Sequence, residues 1–181
     1  MPAYVAMLRG INVSGHKIVR MEALRATCTA LGFRNVATYV QSGNIVFVAE
    51  TKPSSVLAKR ISDAILRDFG FPVPALVRTA KEMQGVIKNN PFVKEDSIDV
   101  AKLHVTFLSQ SPAKTALKNL QTLPAKRDRF QVGRQAIYLY CPDGYGITKL
   151  SNTAIEKALA VAATTRNWKT VNTLFEMAAR L

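Results

Sequence analysis

Acidic residues are scarce in this chain of 181 residues, which has 12 Asp and Glu against 25 Lys and Arg and a formal net charge of +13. Such a surplus favours polyanionic partners, for example nucleic acid, acidic membranes or phosphorylated ligands. The positive charge is spread over both halves and forms no basic tail. The acids are scattered too, and no carboxylate pair, Ser-His-Asp set or metal-ligand cluster stands out. The sequence therefore identifies no catalytic residue, predicts no cofactor and no metal site, and leaves open whether the protein is an enzyme.

Cysteine is also rare, and the two cysteines, Cys28 and Cys141, lack a CxxC spacing. Isolated cysteines of this kind are typical of reduced thiols. Cys28 falls in register with apolar residues of a predicted helix and is interpreted as a small buried hydrophobe, whereas the role of Cys141 is undecided. No apolar run approaches the roughly 20 residues of a membrane span, and the N-terminus does not resemble a secretory signal. We therefore expect a soluble, cytoplasmic protein that does not cross a membrane.

Hydrophobic residues make up 48% of the chain, which is enough to bury a sizeable core. In the first half, apolar periodicity and turn residues predict strands and helices in the order βαββαβ, followed by a short helix that opens on a capping box of Thr79 and Glu82. The predicted ranges are a strand at 4–9, a helix from Met21 to Leu31, strands at 36–40 and 44–48 around a two-residue turn at Ser42-Gly43, a helix from Pro53 to Gly70 and a strand at 75–78. This order is typical of a ferredoxin-like fold.

The second half repeats the order βαββα. Its predicted ranges are a strand at 101–109, a helix capped at Ser111-Pro112, a hairpin around Gly133-Arg134, a helix with a capping box of Thr153 and Glu156, and a closing amphipathic helix through Val171. We therefore predict an α+β protein of two tandem ferredoxin-like (βαββα) units with antiparallel sheets and a closing C-terminal helix. The first unit is placed at 1–95 and the second at 96–181, in one compact body.

Three segments occur together in a characteristic order: Leu8-Arg9-Gly10-Ile11-Asn12-Val13, then Thr38-Tyr39-Val40-Gln41-Ser42-Gly43-Asn44, then Lys149-Leu150 followed by Thr165-Arg166-Asn167-Trp168. In order and spacing they resemble the bacterial domain-of-unknown-function family 1697 over nearly the whole chain. The resemblance implies a duplicated ferredoxin-like fold and no established activity. Three positions depart from the pattern: Ser14 stands where glycine is usual, Thr148 where serine is usual, and Thr173 where a basic residue is frequent.

These segments supply the candidate ligand-binding residues. The loop from Gly10 to Lys17 leaves a strand with two glycines and a lysine, and such a loop can offer backbone N–H groups to an anion; the alternative is that the glycines serve only positive φ. Near the C-terminus, two predicted helix starts carry Lys149 and Arg166; the alternative there is that Asn167 is an ordinary N-cap, Trp168 packs in the core and Arg166 packs or pairs with an acid. The complete candidate set is Arg9, Asn12, Lys17, Ser42, Asn44, Lys149, Arg166, Asn167 and Trp168.

The leading hypothesis is binding of a phosphate-bearing small molecule or nucleic acid by a basic surface at helix N-termini. One alternative is an enzyme that acts on a small anionic metabolite in a cleft between the halves, and another is a protein-interaction module. RNA binding on the sheet, as in an RNA-recognition motif, would need exposed aromatics on the central strands, and Phe47 is instead predicted to lie in the core. The sequence predicts no oligomeric state.

Overall fold

A computed structural model describes all 181 residues, and the chain divides into two compact units that each contain a four-stranded antiparallel sheet. Unit 1 comprises Met1–Gly85 and Thr173–Leu181, and unit 2 comprises Val86–Asn172. The strands are β1 (Ala3–Leu8), β2 (Arg34–Tyr39), β3 (Asn44–Val48), β4 (Ala75–Thr79), β5 (Leu103–Leu108), β6 (Arg129–Val132), β7 (Ala136–Tyr140) and β8 (Ala163–Asn167). The helices are α1 (Met21–Ala30), α2 (Ser54–Phe69), α3 (Ala80–Lys88), α4 (Lys114–Gln121), α5 (Asn152–Leu159) and α6 (Trp168–Ala179). None of them has the length and apolar character that a membrane span requires.

The two sheets have the same strand order, β2-β3-β1-β4 in unit 1 and β6-β7-β5-β8 in unit 2. Their registers match as well. Val5 in the central strand β1 pairs with Arg78 in β4, and Val105 in the central strand β5 pairs with Arg166 in β8. This arrangement confirms the predicted α+β fold of two tandem ferredoxin-like units, and the repeated register supports an internal duplication.

In each unit, the helices cover one face of the sheet with an apolar layer. In unit 1 that layer includes Phe47 from the sheet and Ile61 from α2, and in unit 2 it includes Leu139 and Ile155. Full burial of an aliphatic or aromatic side chain contributes roughly 1.5–3 kcal/mol, so these layers are the main source of stability. Helix α2 ends at Gly70, which adopts a left-handed conformation with φ of 82°, as the glycine predicted.

The opposite face of each sheet is buried along its central strands as well. Val5 and Met7 point away from the helical layer of unit 1 and are fully buried, and Val105 and Phe107 are fully buried in the same way in unit 2. Phe47 has no exposed surface, which confirms its predicted place in the core. RNA binding on an open sheet face needs exposed aromatic rings on the central strands, and neither sheet offers such a face.

Two turns differ from their predictions. The β2–β3 connection has four residues, Val40 to Gly43, rather than two, because Tyr39 pairs directly with Asn44. In the β6–β7 hairpin, Gly133 N–H donates to the carbonyl of Ala136 at 2.8 Å, so the two-residue turn is Arg134-Gln135 rather than Gly133-Arg134.

The helix starts and one strand of unit 2 also need correction. The helix predicted to begin at Ser111-Pro112 begins at Lys114, because extended Ala113 occupies its N-cap. The capping box predicted for Thr153 and Glu156 is wrong, since the side chain of Ser151 caps α5 by accepting from the N–H of Ala154. The residues before the last helix form the edge strand β8, which was not predicted as a strand.

Candidate anion-binding surface

The loop that follows β1 is held together by the side chain of Asn12. Its Nδ2 donates to the carbonyl of Val19 at 3.0 Å and to that of Gln41 at 2.7 Å, while its Oδ1 accepts from the N–H of Val19 at 2.8 Å. Asn12 therefore ties the two ends of the loop to each other and to the β2–β3 turn. Both hydrogen-bonding ends of its amide serve the protein itself.

The β2–β3 turn is equally well connected. Asn44 is fully buried, and its Nδ2 donates to the carbonyl of Tyr39 at 3.0 Å and to Oγ of Ser42 at 3.1 Å. Gly43 has a φ of 80°, and a methyl group at its Cα would lie 2.7 Å from Cδ1 of Ile11. The structure thus brings Asn12, Ser42 and Asn44 together at one end of the unit 1 sheet, where they shape the loop and the turn.

The two predicted cations of unit 1 lie at the same end. Arg9 directly follows β1 and is half-buried, and its backbone N–H donates to the carbonyl of Pro74 at 2.9 Å. Lys17 is exposed, with a left-handed φ of 48°, and its Nζ donates to the carbonyl of Pro72 at 3.0 Å. Lys17 therefore holds the loop against the segment before β4 while its charge stays in contact with solvent.

In unit 2, the guanidinium of Arg166 is buried rather than presented to a ligand. Arg166 is 8% exposed, and its Nη1 donates to Oγ1 of Thr164 at 2.8 Å and to the carbonyl of Thr165 at 2.9 Å. Burial lowers its pKa from 12.5 to about 10. At neutral pH the side chain stays charged, so it is a cation within the fold.

The N-termini of α5 and α6 are already capped. Oδ1 of Asn167 accepts from the N–H of Thr170 at 2.8 Å, which is the hydrogen bond of an ordinary N-cap. Trp168, the first residue of α6, is half-buried, and Ser151 caps α5 in the same manner. A cap occupies the helix terminus where an anion would otherwise accept hydrogen bonds. Of the two predicted cations in this unit, Arg166 is buried and Lys149, just before α5, is exposed.

A group of lysines that the predicted set omitted lies on the helices of unit 2. Lys114 and Lys118 are four residues apart on α4, which places them on one side of that helix. Lys157 lies on α5, and the two helices meet where Nδ2 of Asn119 donates to the carbonyl of Ala158 at 3.3 Å. We call Lys114, Lys118 and Lys157 the lysine group.

All three members of the lysine group are exposed, and none takes part in an ion pair. Helix α4 has no acidic residue, and the only acid on α5 is Glu156. Oε2 of Glu156 accepts from the backbone N–H of Ala163 at 3.2 Å. Helices α4 and α5 therefore carry three exposed lysines against one carboxylate, and none of the three lysines is paired with an acid. The sequence signal for this surface was available in the i, i+4 spacing of Lys114 and Lys118 and the lack of acids around them.

The helices of unit 1 have a different charge arrangement. On α2, Lys59 pairs with Asp63 at 2.6 Å and Arg67 with Asp68 at 2.6 Å. The hydrogen bond from Arg67 lowers the pKa of Asp68, so this carboxylate stays ionised. The helical surface of unit 1 is thus partly neutralised by its own acids.

The thiols and histidines do not form a second site. Burial raises the pKa of Cys28 to about 12 and that of Cys141 to about 11, so both are protonated and poor nucleophiles at neutral pH. Full burial confirms the interpretation of Cys28 as a small hydrophobe. His16 is exposed, and His104 stacks on Tyr145 with ring centroids 4.8 Å apart. No group of three or more His, Cys, Asp or Glu side chains is arranged to hold a metal ion.

Comparison with known proteins identifies relatives without assigning an activity. The family model described as "Protein of unknown function (DUF1697)" matches residues 1–138. No curated protein matches the chain. Among solved structures, the conserved bacterial protein SP0830 from Streptococcus pneumoniae is similar, with a TM-score of 0.78 and 21% identity over 98% of each chain. At that level of identity, the similarity concerns the fold.

Proposed function

This chain belongs to the family described as "Protein of unknown function (DUF1697)", and we propose that it binds nucleic acid, or another phosphate-bearing polyanion, through the lysine group of unit 2. The proposal depends on one observation: Lys114, Lys118 and Lys157 are exposed on two packed helices whose only acid is engaged by backbone. Lys149, which precedes α5, adds a further exposed cation to the same unit.

The position of these lysines is unfavourable for the stability of α4. Lys114 is the first residue of the helix, where the partial positive charge of the helix dipole disfavours a cation. The like-charged neighbours Lys114 and Lys118 destabilise a helix by about 0.2–0.5 kcal/mol. A bound phosphate chain would reverse the sign of both effects, because it places negative charge beside the lysines and near the helix start.

The geometry favours a polyanion over a single phosphate group. Ser151 and Asn167 each occupy one backbone N–H at the N-termini of α5 and α6, and Arg166 is buried. Exposed lysines on helices are typical of contacts to a repeating phosphate backbone, in which each lysine releases a counterion. Binding of this kind is independent of base sequence and depends strongly on salt.

The test measures the salt dependence of binding to a fluorescent single-stranded oligonucleotide and to the corresponding duplex. In the test variant, Lys114, Lys118 and Lys157 are all replaced by Gln. A matched control replaces Lys52, Lys59 and Arg67 of unit 1 by Gln, so that both proteins lose the same formal charge. The plot of log K against log salt has a negative slope, and each lost phosphate contact reduces its magnitude by roughly 0.7–0.9.

We expect the magnitude of this slope to fall by about 2–3 in the test variant, since three contacts are lost, with weaker binding at low salt, and the control to stay close to the wild type. Equal losses in the two variants would show that a diffuse positive field, rather than the lysine group, attracts the oligonucleotide. A wild-type protein that shows no salt-dependent binding to either oligonucleotide at low ionic strength would overturn the proposal.

A further inference from the structure

Three large aliphatic side chains are exposed at one end of unit 1. Val13 is 59% exposed, Ile18 is 57% exposed and Val40 is 50% exposed. Single exposed aliphatic residues are common on protein surfaces, whereas a group of them marks a contact surface more often.

The hydrogen bonds of Asn12 bring together the backbone segments that carry these three residues. Asn12 bonds to Val19 and to Gln41 through the contacts of 2.7–3.0 Å described above. Val13 is next to Asn12 in the chain, Ile18 is next to Val19, and Val40 is next to Gln41. Each exposed side chain is thus one residue away from a backbone segment that Asn12 joins to the others. We call Val13, Ile18 and Val40 the apolar edge.

Val40 has a backbone conformation that is unfavourable for valine. Val40 has a φ of 51°, a left-handed conformation that is a true outlier for a β-branched residue. Such strain costs of order 1–3 kcal/mol, and strained residues cluster at active sites, ligand-binding sites and switch regions. Because the side chain of Val40 is half exposed, its burial in a core does not compensate for this strain.

The loop segment that carries Val13 and Ile18 contains basic residues and no acid. Lys17 and Arg20 are exposed on either side of the segment that contains Ile18, and His16 is exposed beside them. No acidic residue occurs between Arg9 and Met21, and the nearest acid in the chain is Glu22. A partner that covers the apolar edge must therefore bring apolar groups and negative charge together.

We propose that the apolar edge, with Lys17 and Arg20, docks a segment of a partner protein in which apolar side chains alternate with Asp or Glu. Aliphatic contacts supply affinity and the two cations supply charge complementarity. The proposal is independent of the lysine group, which belongs to the other unit.

Nucleic acid fits this surface less well than it fits the lysine group. Unpaired bases stack on aromatic rings or guanidinium planes, which here only His16 and Arg20 beside the apolar edge could supply, whereas its three exposed side chains are aliphatic. A phosphate backbone would satisfy Lys17 and Arg20 but would leave Val13, Ile18 and Val40 exposed. An acidic peptide with apolar side chains satisfies both.

The test uses three fluorescein-labelled peptides and fluorescence anisotropy. The first peptide alternates leucine with aspartate, the second replaces aspartate with lysine, and the third replaces leucine with serine. The test variant is Val13→Ser with Ile18→Ser. The control is Val56→Ser with Val100→Ser, which removes aliphatic groups that are 44% and 55% exposed elsewhere. Thermal melts of both variants establish that they fold.

We expect the wild type to bind the leucine-aspartate peptide in preference to the other two. The test variant should lose about tenfold in affinity for that peptide, since two partly buried aliphatic contacts are removed, while the control keeps wild-type affinity. Equal binding of all three peptides, or equal losses in the test and control variants, would overturn the proposal. Binding of the wild type to anionic lipid vesicles, with no binding of the leucine-aspartate peptide, would overturn it as well.

The same variants separate this proposal from the nucleic-acid proposal. Val13→Ser with Ile18→Ser should leave the salt slope of oligonucleotide binding unchanged, because neither substitution removes a charge. A change in that slope would indicate that the apolar edge belongs to the nucleic-acid surface, and this would overturn its role as a separate peptide site.

Discussion

Replacement of Gly43 by alanine probes the packing between the β2–β3 turn and the loop after β1. The added methyl group would lie 2.7 Å from Cδ1 of Ile11 and 2.8 Å from Cβ of Leu8. Cβ of Leu8 cannot move aside without the central strand β1, to which it is fixed. Alanine at a left-handed φ costs about 1–2 kcal/mol, and overpacking costs typically 1–3 kcal/mol. We therefore expect Gly43→Ala to lower the free energy of unfolding by about 2–5 kcal/mol.

Gly70→Ala is the matched control for this prediction. Gly70 has nearly the same φ, 82°, but no atom lies within 4 Å of the position that its methyl group would take. Its substitution should cost only the conformational part, about 1–2 kcal/mol. Urea unfolding followed by circular dichroism measures both free energies under identical conditions. Equal costs for the two variants would refute the packing argument and leave positive φ as the only reason for glycine at position 43.

Three further predictions concern single residues. Val40→Asn should raise the urea midpoint by the equivalent of about 1 kcal/mol, because asparagine tolerates a left-handed φ that strains valine; an unchanged midpoint would mean that the strain is small. Asn167→Ala should lower stability by about 1 kcal/mol through loss of the N-cap and should leave oligonucleotide affinity unchanged, whereas a ligand-binding asparagine would show the reverse in the anisotropy titration. Burial lowers the pKa of His104 below 6.5, so the unfolded chain binds the proton more tightly and stability falls as pH drops through 6.5. His104→Phe should make this part of the stability curve flatter, and a wild-type curve without such a fall would contradict the assignment.

Most of the fold could be predicted because its helices and long strands carry strong periodic signals. The stripe of Leu57, Ile61 and Ile65 and the stop at Gly70 define α2 in the sequence as clearly as in the structure. The short edge strand β8 could not be identified in this way. Its Thr164 and Thr165 favour a strand, but pairing with β5, about 60 residues away in the chain, is what holds them extended.

The candidate site was harder to predict because a side chain's partners depend on tertiary contacts. Asn12 and Arg166 have residue types that suit an anion site, yet the amide of one ties a loop together and the guanidinium of the other is buried. Lys118 has the opposite character: an exposed lysine on a helix is usually a solvated charge, and the sequence alone does not distinguish Lys118 from one. Only the fold shows that α4 packs beside α5 and that Glu156 is directed to backbone.

Amide chemical shifts during titration with an oligonucleotide test the role of the lysine group most directly. We expect the amides of Lys114–Gln121 and Asn152–Leu159 to shift together, with amplitudes that decrease as salt is added, while the amides of Met21–Ala30 and Ser54–Phe69 stay unchanged. Shifts of equal size on the helices of both units, or shifts that avoid α4 and α5, would contradict it.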